Sequence, residues 1–251
     1  MSVFDLEGER AVVTGGGSGI GFAIATCMAD AGAEVVLVGR DMARLEAAAG
    51  ELGPMARVAA FDVTKTDTAP EFAAKVEADF GPVSILVNNA GINMKKPALE
   101  TTGAEMQAIL DTNVLGAFAL SKAFGKGMIL REKGSILFIA SMATFMGIPG
   151  VVAYSTAKSA VGGLVRTLAT EWSGSGVRVN AIAPGWIETA MSRKAMAGDP
   201  ERKRKVLSRT PAGAFGKPED IGYAAVYLAS AASAYVTGVV LPVDGGTSMS
   251  F

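Results

Sequence analysis

Short apolar runs alternate with longer helical segments along the whole chain. Residues 10–14, 34–39, 56–61, 83–87, 134–140, 177–183 and 238–243 read as strands. Between them, residues 22–31, 41–52, 67–80, 103–131 and the segment around residue 154 read as helices. Asp41 caps the second of these, and Pro218, Glu219 and Asp220 open a last helix after Lys217. Strand and helix in alternation imply parallel strands joined by right-handed crossovers, so the predicted fold class is α/β. No linker or repeat interrupts the pattern, so residues 1–251 are expected to form a single domain. The charged, Met-rich stretch 190–214 is broken by Pro200 and Pro211. It is expected to be a helical flap over the substrate, with an ordinary surface insertion as the alternative.

Composition narrows the chemistry. Half of the 251 residues are apolar and the formal net charge is −1, which leaves no basic excess to attract nucleic acid or an anionic membrane. The chain has no histidine, which removes Ser-His-Asp hydrolysis, Cys-His chemistry, His-ligated zinc and imidazole acid/base catalysis from consideration. Proton transfer then falls to Tyr, Lys, Asp, Glu or water, and no metal site is expected. Cys27 is the only cysteine and nothing at the start reads as a signal peptide, so the expected compartment is the cytosol. No apolar run is long enough to span a bilayer.

Three stretches carry candidate chemistry. The first strand runs into Gly15-Gly16-Gly17-Ser18-Gly19-Ile20-Gly21 and then a helix, an arrangement that aims bare N–H groups and a helix N-terminus at a phosphate. A tight turn that binds nothing is the alternative. No Lys follows Gly21, so a triphosphate-binding loop fits poorly. The second strand ends Val38-Gly39-Arg40, with no carboxylate until Asp41. Arg40 is therefore read as a ligand of a 2′-phosphate, favouring NADP over NAD, against the alternative of a solvated surface Arg. The fourth strand runs into Asn88-Asn89-Ala90-Gly91 at the edge where parallel sheets bind ligands, although a simple turn explains these residues equally well.

The third stretch is Tyr154-Ser155-Thr156-Ala157-Lys158, with Ser141 upstream at the end of the fifth strand. On a helix, Tyr154 and Lys158 lie one turn apart on one face, where an ammonium would favour the ionised phenol and make it a usable acid/base. Asn113, in the middle of a largely apolar helical segment, is either a satisfied core amide or a water-holding group.

Together, Thr14-Gly15-x-x-x-Gly19-x-Gly21, Asp62, Asn88-Asn89-Ala90-Gly91, Asn113, Ser141, Tyr154-x-x-x-Lys158 and Pro184-Gly185 resemble, in order and spacing, the short-chain dehydrogenase/reductase family over essentially the whole chain. The resemblance implies a doubly wound, Rossmann-type parallel sheet and an NAD(P)-dependent oxidoreductase acting on CH–OH groups. In that family pattern Tyr154 is the acid/base, Ser141 binds the substrate oxygen, Lys158 holds the nicotinamide ribose and lowers the Tyr pKa, and Asn113 positions a proton-relay water. Gly15, Ser18, Gly19, Ile20 and Gly21 would bind the cofactor. Asp62, Val63 and Asn89 would lie along its adenosine half, with Ala90 and Gly91 beside them, and Pro184, Gly185, Ile187 and Thr189 along its nicotinamide half.

Within the family the chain looks most like polyol and sugar-acid dehydrogenases and 3-oxoacyl-carrier-protein reductases. Lys122, Lys126, Arg131 and Lys133 could serve an acidic carrier, but Thr170 and Ser175 stand where such reductases often carry Arg. A free small alcohol or ketone is therefore preferred as substrate, with carrier-bound acyl reduction as the alternative. A non-catalytic dinucleotide-binding regulator is the alternative of another class. Segments 114–124 and 160–169 are apolar or small nearly all round, including Leu115, Phe118, Val161, Gly162, Gly163, Leu164 and Leu168. They predict a two-fold helix interface, which the resemblance extends to a homotetramer.

Overall fold

Among the described residues, seven short and mostly apolar strands form one parallel sheet. The computed structural model describes residues 2–189, 192, 193, 198 and 200–249. The strands are β1 (Arg10–Thr14), β2 (Glu34–Gly39), β3 (Ala56–Ala60), β4 (Ile85–Asn88), β5 (Gly134–Ile139), β6 (Val177–Pro184) and β7 (Val240–Val243). Their spatial order is β3-β2-β1-β4-β5-β6-β7, every pair parallel. The chain therefore winds outward from β1 to β3, returns to the other side of β1, and winds outward again. This is the doubly wound topology expected, and it opens a crevice between the carboxyl ends of β1 and β4.

Side chains alternate across each strand, so neighbours in sequence belong to different cores. Val12, Leu86, Ile136 and Phe138 pack with α3 (Ala69–Phe80), α5 (Gly116–Leu130) and α6 (Val152–Trp172) on one face. Val13, Val87, Leu137 and Ile139 pack with α1 (Gly19–Asp30), α2 (Met42–Leu52) and α8 (Pro218–Ala229) on the other. A third, small cluster of Ile109, Ala153 and Ala157 lies between α6 and α4 (Gly103–Leu110). Among the described residues, no helix is long and apolar enough to cross a membrane.

Two elements differ from expectation. The first helix begins at Gly19, not residue 22, so Gly19 and Gly21 belong to its first turn. The segment 103–131 is not one helix, because a π-turn at Asp111–Leu115 separates α4 from α5 and Gly116 N donates to Asp111 O. That wide turn carries Asn113 inward, where it is buried and held by Ile92, and such single π-turns gather at functional sites. Within the expected flap, residues 200–208 form helix α7, while 190, 191, 194–197 and 199 lie outside the described residues.

Candidate active site

A cleft of about 1270 Å³ runs along the carboxyl edge of the sheet. At one end lies the glycine turn. Gly19 has φ +58 and nothing within 4 Å of where a Cβ would stand, so its backbone faces open space. Ser18 makes no side-chain cap bond, which leaves the first-turn N–H groups of α1 without a side-chain acceptor. A side chain at Gly15 would come 2.8 Å from Asn89 Nδ2, and one at Gly21 would collide with Asn89 Nδ2 and Gly15 O. The turn is therefore small both because it is tightly packed and because it has to stay bare. These features fit a dinucleotide pyrophosphate.

Thr14 ties this turn to the end of β4. Its hydroxyl donates to Val87 O at 3.2 Å and accepts from Asn89 N and Ala90 N at 2.9 Å each. Asn89 Nδ2 donates to Thr14 O at 2.9 Å. Asn89 thus lines the cleft while its side-chain amino group is spent on the turn. Asn88 is directed away from the cleft, donating to Ser121 Oγ at 2.9 Å.

The catalytic candidates meet further along. Ser18, Gly19, Ile20, Gly21, Ala90, Gly91, Ser141, Tyr154, Lys158, Pro184, Gly185 and Thr189 all line the cleft. Ser141 extends from the end of β5, and its Oγ accepts from Ala143 N at 3.1 Å. Tyr154 lies in the first turn of α6, hydrogen-bonded to Ser141. Lys158, one turn on, is buried, with Nζ donating to Ile139 O at 2.6 Å and standing 5.5 Å from the Tyr154 ring centroid.

The electrostatics depart from the expected lowering of the phenol. Burial pushes the Tyr154 pKa up, and the Ser141 hydrogen bond offsets this only in part. Burial also pushes Lys158 down, from 10.5 to about 8. Its ammonium is directed at a β5 carbonyl, so in this arrangement the cation does not hold the phenol below its ordinary value. Asn113 is held on both sides of its amide, as Oδ1 accepts from Ile92 N at 2.8 Å and Nδ2 donates to Ile92 O at 3.0 Å. These two bonds fix the loop after β4 against the π-turn.

Asn113 and four further candidates lie outside the cleft lining. Arg40 is three-quarters exposed with Nη1 4.0 Å from Asp62 Oδ2, so these two are near one another at the end of β2. Asp62 Oδ1 accepts from Thr64 N and Oγ1, bonds that hold its carboxyl below the usual range. Val63 packs on α5, where a Cβ at Gly116 would stand 2.5 Å from Val63 O. Ile187 is buried and bridges to Gly216.

Sequence reasoning missed Arg44, Arg193 and Lys217, all of which line the cleft. Arg44 had a signal: it stands three residues past the cap Asp41, whose carboxylate accepts its N–H at 3.1 Å, and so belongs to the first turn of α2. The acceptor for Lys158, a main-chain carbonyl, carries no signature in side-chain identity.

Residues 15–248 match the family model described as enoyl-(acyl carrier protein) reductase. The chain is 46% identical to galactitol 2-dehydrogenase (L-tagatose-forming) of Cereibacter sphaeroides over 98% of its own length and 97% of that protein's. It is 40% identical to gluconate 5-dehydrogenase of Gluconobacter oxydans over 99% and 98%. Among solved structures, gluconate 5-dehydrogenase from Burkholderia cenocepacia J2315, in complex with NADP and tartrate, superposes with a TM-score of 0.95 at 34% identity, covering 99% of this chain and 98% of that one.

Proposed function

The chain belongs to the short-chain dehydrogenase/reductase family, and from that premise we propose that it is an NADP-preferring dehydrogenase of a polyol or sugar acid. The observation that carries the reading is the convergence of Ser141, Tyr154 and Lys158 on a cleft whose other end is an uncapped helix N-terminus. A bound nicotinamide dinucleotide would supply the hydride chemistry. The first turn of α1 would hold its pyrophosphate, Lys158 its nicotinamide ribose, Thr189 and Pro184-Gly185 its nicotinamide half, and Arg40 and Arg44 a 2′-phosphate.

The protein's own task is one proton. Tyr154 takes it from the substrate hydroxyl in oxidation and returns it in reduction, while Ser141 hydrogen-bonds the substrate oxygen. Because burial raises its pKa, Tyr154 is protonated at neutral pH and stands ready as the donor for ketone reduction. Alcohol oxidation requires that proton to leave first, so its rate should climb with pH. Asn113 serves this chemistry by fixing Ile92 at the cleft wall.

Carrier-bound acyl reduction is the less favoured reading. Arg131 pairs with Glu77 at 2.9 Å and Lys133 with Glu9 at 2.6 Å, next to the amino ends of β4 and β5 and so across the sheet from the cleft. Only Lys122 and Lys126 remain as exposed cations on α5 for an acidic carrier. The assembly in this reading is a cytosolic homotetramer built on the α5 and α6 faces, supported by the exposure of Leu115 and Phe118. Sedimentation as a monomer at micromolar concentration would exclude it.

The decisive assay follows reduced cofactor spectrophotometrically, offering galactitol and gluconate with NADP and with NAD, beside a carrier-protein thioester mimic. Turnover of a polyol or sugar acid, faster with NADP, is expected. Reduction of the thioester alone would overturn the substrate assignment.

A further inference from the structure

Tyr154 sits in the first turn of a 21-residue helix whose start nothing in its own sequence fixes. The N-cap position is Val151, with φ −135 and ψ 41; it offers no capping side chain, and the first turn holds no acidic residue. The start is held from outside. Lys96 N donates to Gly150 O at 2.7 Å, and Lys96 and Val151 form an isolated parallel bridge. Ser155 N then donates to Val151 O at 2.8 Å, closing the turn that contains Tyr154.

Lys96 is itself anchored. Its Nζ donates to both carboxylate oxygens of Glu105, at 2.8 and 3.0 Å. Glu105 Oε2 also accepts from Thr102 N at 2.8 Å, in the capping box that starts α4. Beneath this pair, Met94, Met106 and Ile109 pack on Ala153 and Ala157, either side of Tyr154 in the same helix. Upstream, the same strand of chain is pinned at Ile92 by Asn113. The segment from Ile92 to Lys96 is thus a strap fastened at both ends, crossing the start of α6.

We propose that Lys96, through its pair with Glu105, is a positioning residue that sets the first turn of α6 and with it the place of the Tyr154 hydroxyl. Both side chains of the pair are about one-third exposed, so the pair adds little to global stability. Small displacements of a catalytic hydroxyl, by contrast, are costly to rate. The proposal rests on the reading of Tyr154 as the acid/base and adds to it the device that aims the phenol.

The test compares Lys96→Met, Glu105→Gln and the conservative Lys96→Arg with the wild-type enzyme. Lys96→Met and Glu105→Gln should lower kcat by about 10-fold while cofactor affinity, read by protein fluorescence, stays within about twofold. The deuterium isotope effect with substrate labelled at the carbinol carbon should rise, and Lys96→Arg should restore kcat. A second readout needs no turnover: the phenolate absorbance of Tyr154, isolated by subtracting a Tyr154→Phe titration, should appear at lower pH in Lys96→Met because a loosened first turn admits water. An unchanged kcat and an unchanged Tyr154 titration would overturn the proposal, as would a parallel loss of kcat, cofactor affinity and thermal stability. If the wild type turns over neither polyol nor sugar acid, the substrate reading fails alone, and the phenol titration still decides for or against the strap.

Discussion

Replacing Lys158 by Met should make the protein more stable at neutral pH in the course of disabling it. The ammonium is buried, its acceptor among the described residues is Ile139 O, and burial lowers its pKa from 10.5 to about 8. At ~1.4 kcal/mol per pH unit, that fall corresponds to about 3 kcal/mol of native-state destabilisation carried by the charged form. Met fills similar space without the charge, but it strips Ile139 O of its donor at a cost of about 1–3 kcal/mol. The expected balance at pH 7 is a gain of about 0–2 kcal/mol, or up to several degrees in Tm for a chain of this size.

The pH dependence is the sharper readout. Below pH 8 both folded and unfolded states hold the Lys158 proton, and the full penalty stands. Between about 8 and 10.5 the unfolded state binds more protons, so wild-type stability rises with pH relative to the variant, by about 2 kcal/mol at pH 9.5. Urea unfolding at pH 7 and 9.5, at fixed protein concentration and in a Tyr154→Phe background to silence the neighbouring phenol, measures the difference. A Lys158→Met variant less stable than its parent by the same amount at both pH values would refute the reasoning.

Other expectations follow from the same geometry. Tyr154→Phe should lower turnover by roughly 100-fold or more with cofactor affinity nearly unchanged, because only the proton-transfer hydroxyl is removed; stopped-flow cofactor binding beside steady-state rates checks both halves. Gly21→Ala would force a methyl against Asn89 Nδ2 and Gly15 O, so cofactor affinity should fall by about 10-fold or more while substrate preference is kept, as titration calorimetry can show. Changing Gly39 to Asp together with Arg40 to Ser should move the kcat/KM ratio from NADP towards NAD; an unaltered ratio would leave Arg44, which lines the cleft, as the cation that matters.

The sheet was readable because parallel strands buried on both faces leave uninterrupted apolar runs, and β1, β2 and the Asp41 cap fall where the pattern puts them. Ser141, Tyr154 and Lys158 were readable because strand ends and helix spacing carry them to one edge. What stayed hidden depends on groups without an identity in the sequence. The π-turn at Asp111–Leu115 is one extra residue per turn in an otherwise helical pattern, and the Lys158 acceptor is a backbone carbonyl. The direction of the Tyr154 pKa depends on burial, which spacing does not report.

Those hidden features share a cost and a place. A π-turn inside a helix, a buried ammonium whose acceptor is a main-chain carbonyl and a helix bearing Tyr154 without its own cap are each locally unfavourable. All of them lie along the carboxyl edge of the sheet or against the elements that line it. The opposite edge also carries left-handed residues, Glu132 and Gly176 among them, but its charges are paired, Arg10 to Glu34, Arg131 to Glu77 and Lys133 to Glu9. A sequence selected for stability alone has no reason to pair its charges at one edge and bury an ammonium without a carboxylate at the other, whereas a site that must leave N–H groups bare and hold a lysine beside a phenol does. By this argument, stabilising substitutions at the cleft edge should cost activity, while those at the opposite edge should not.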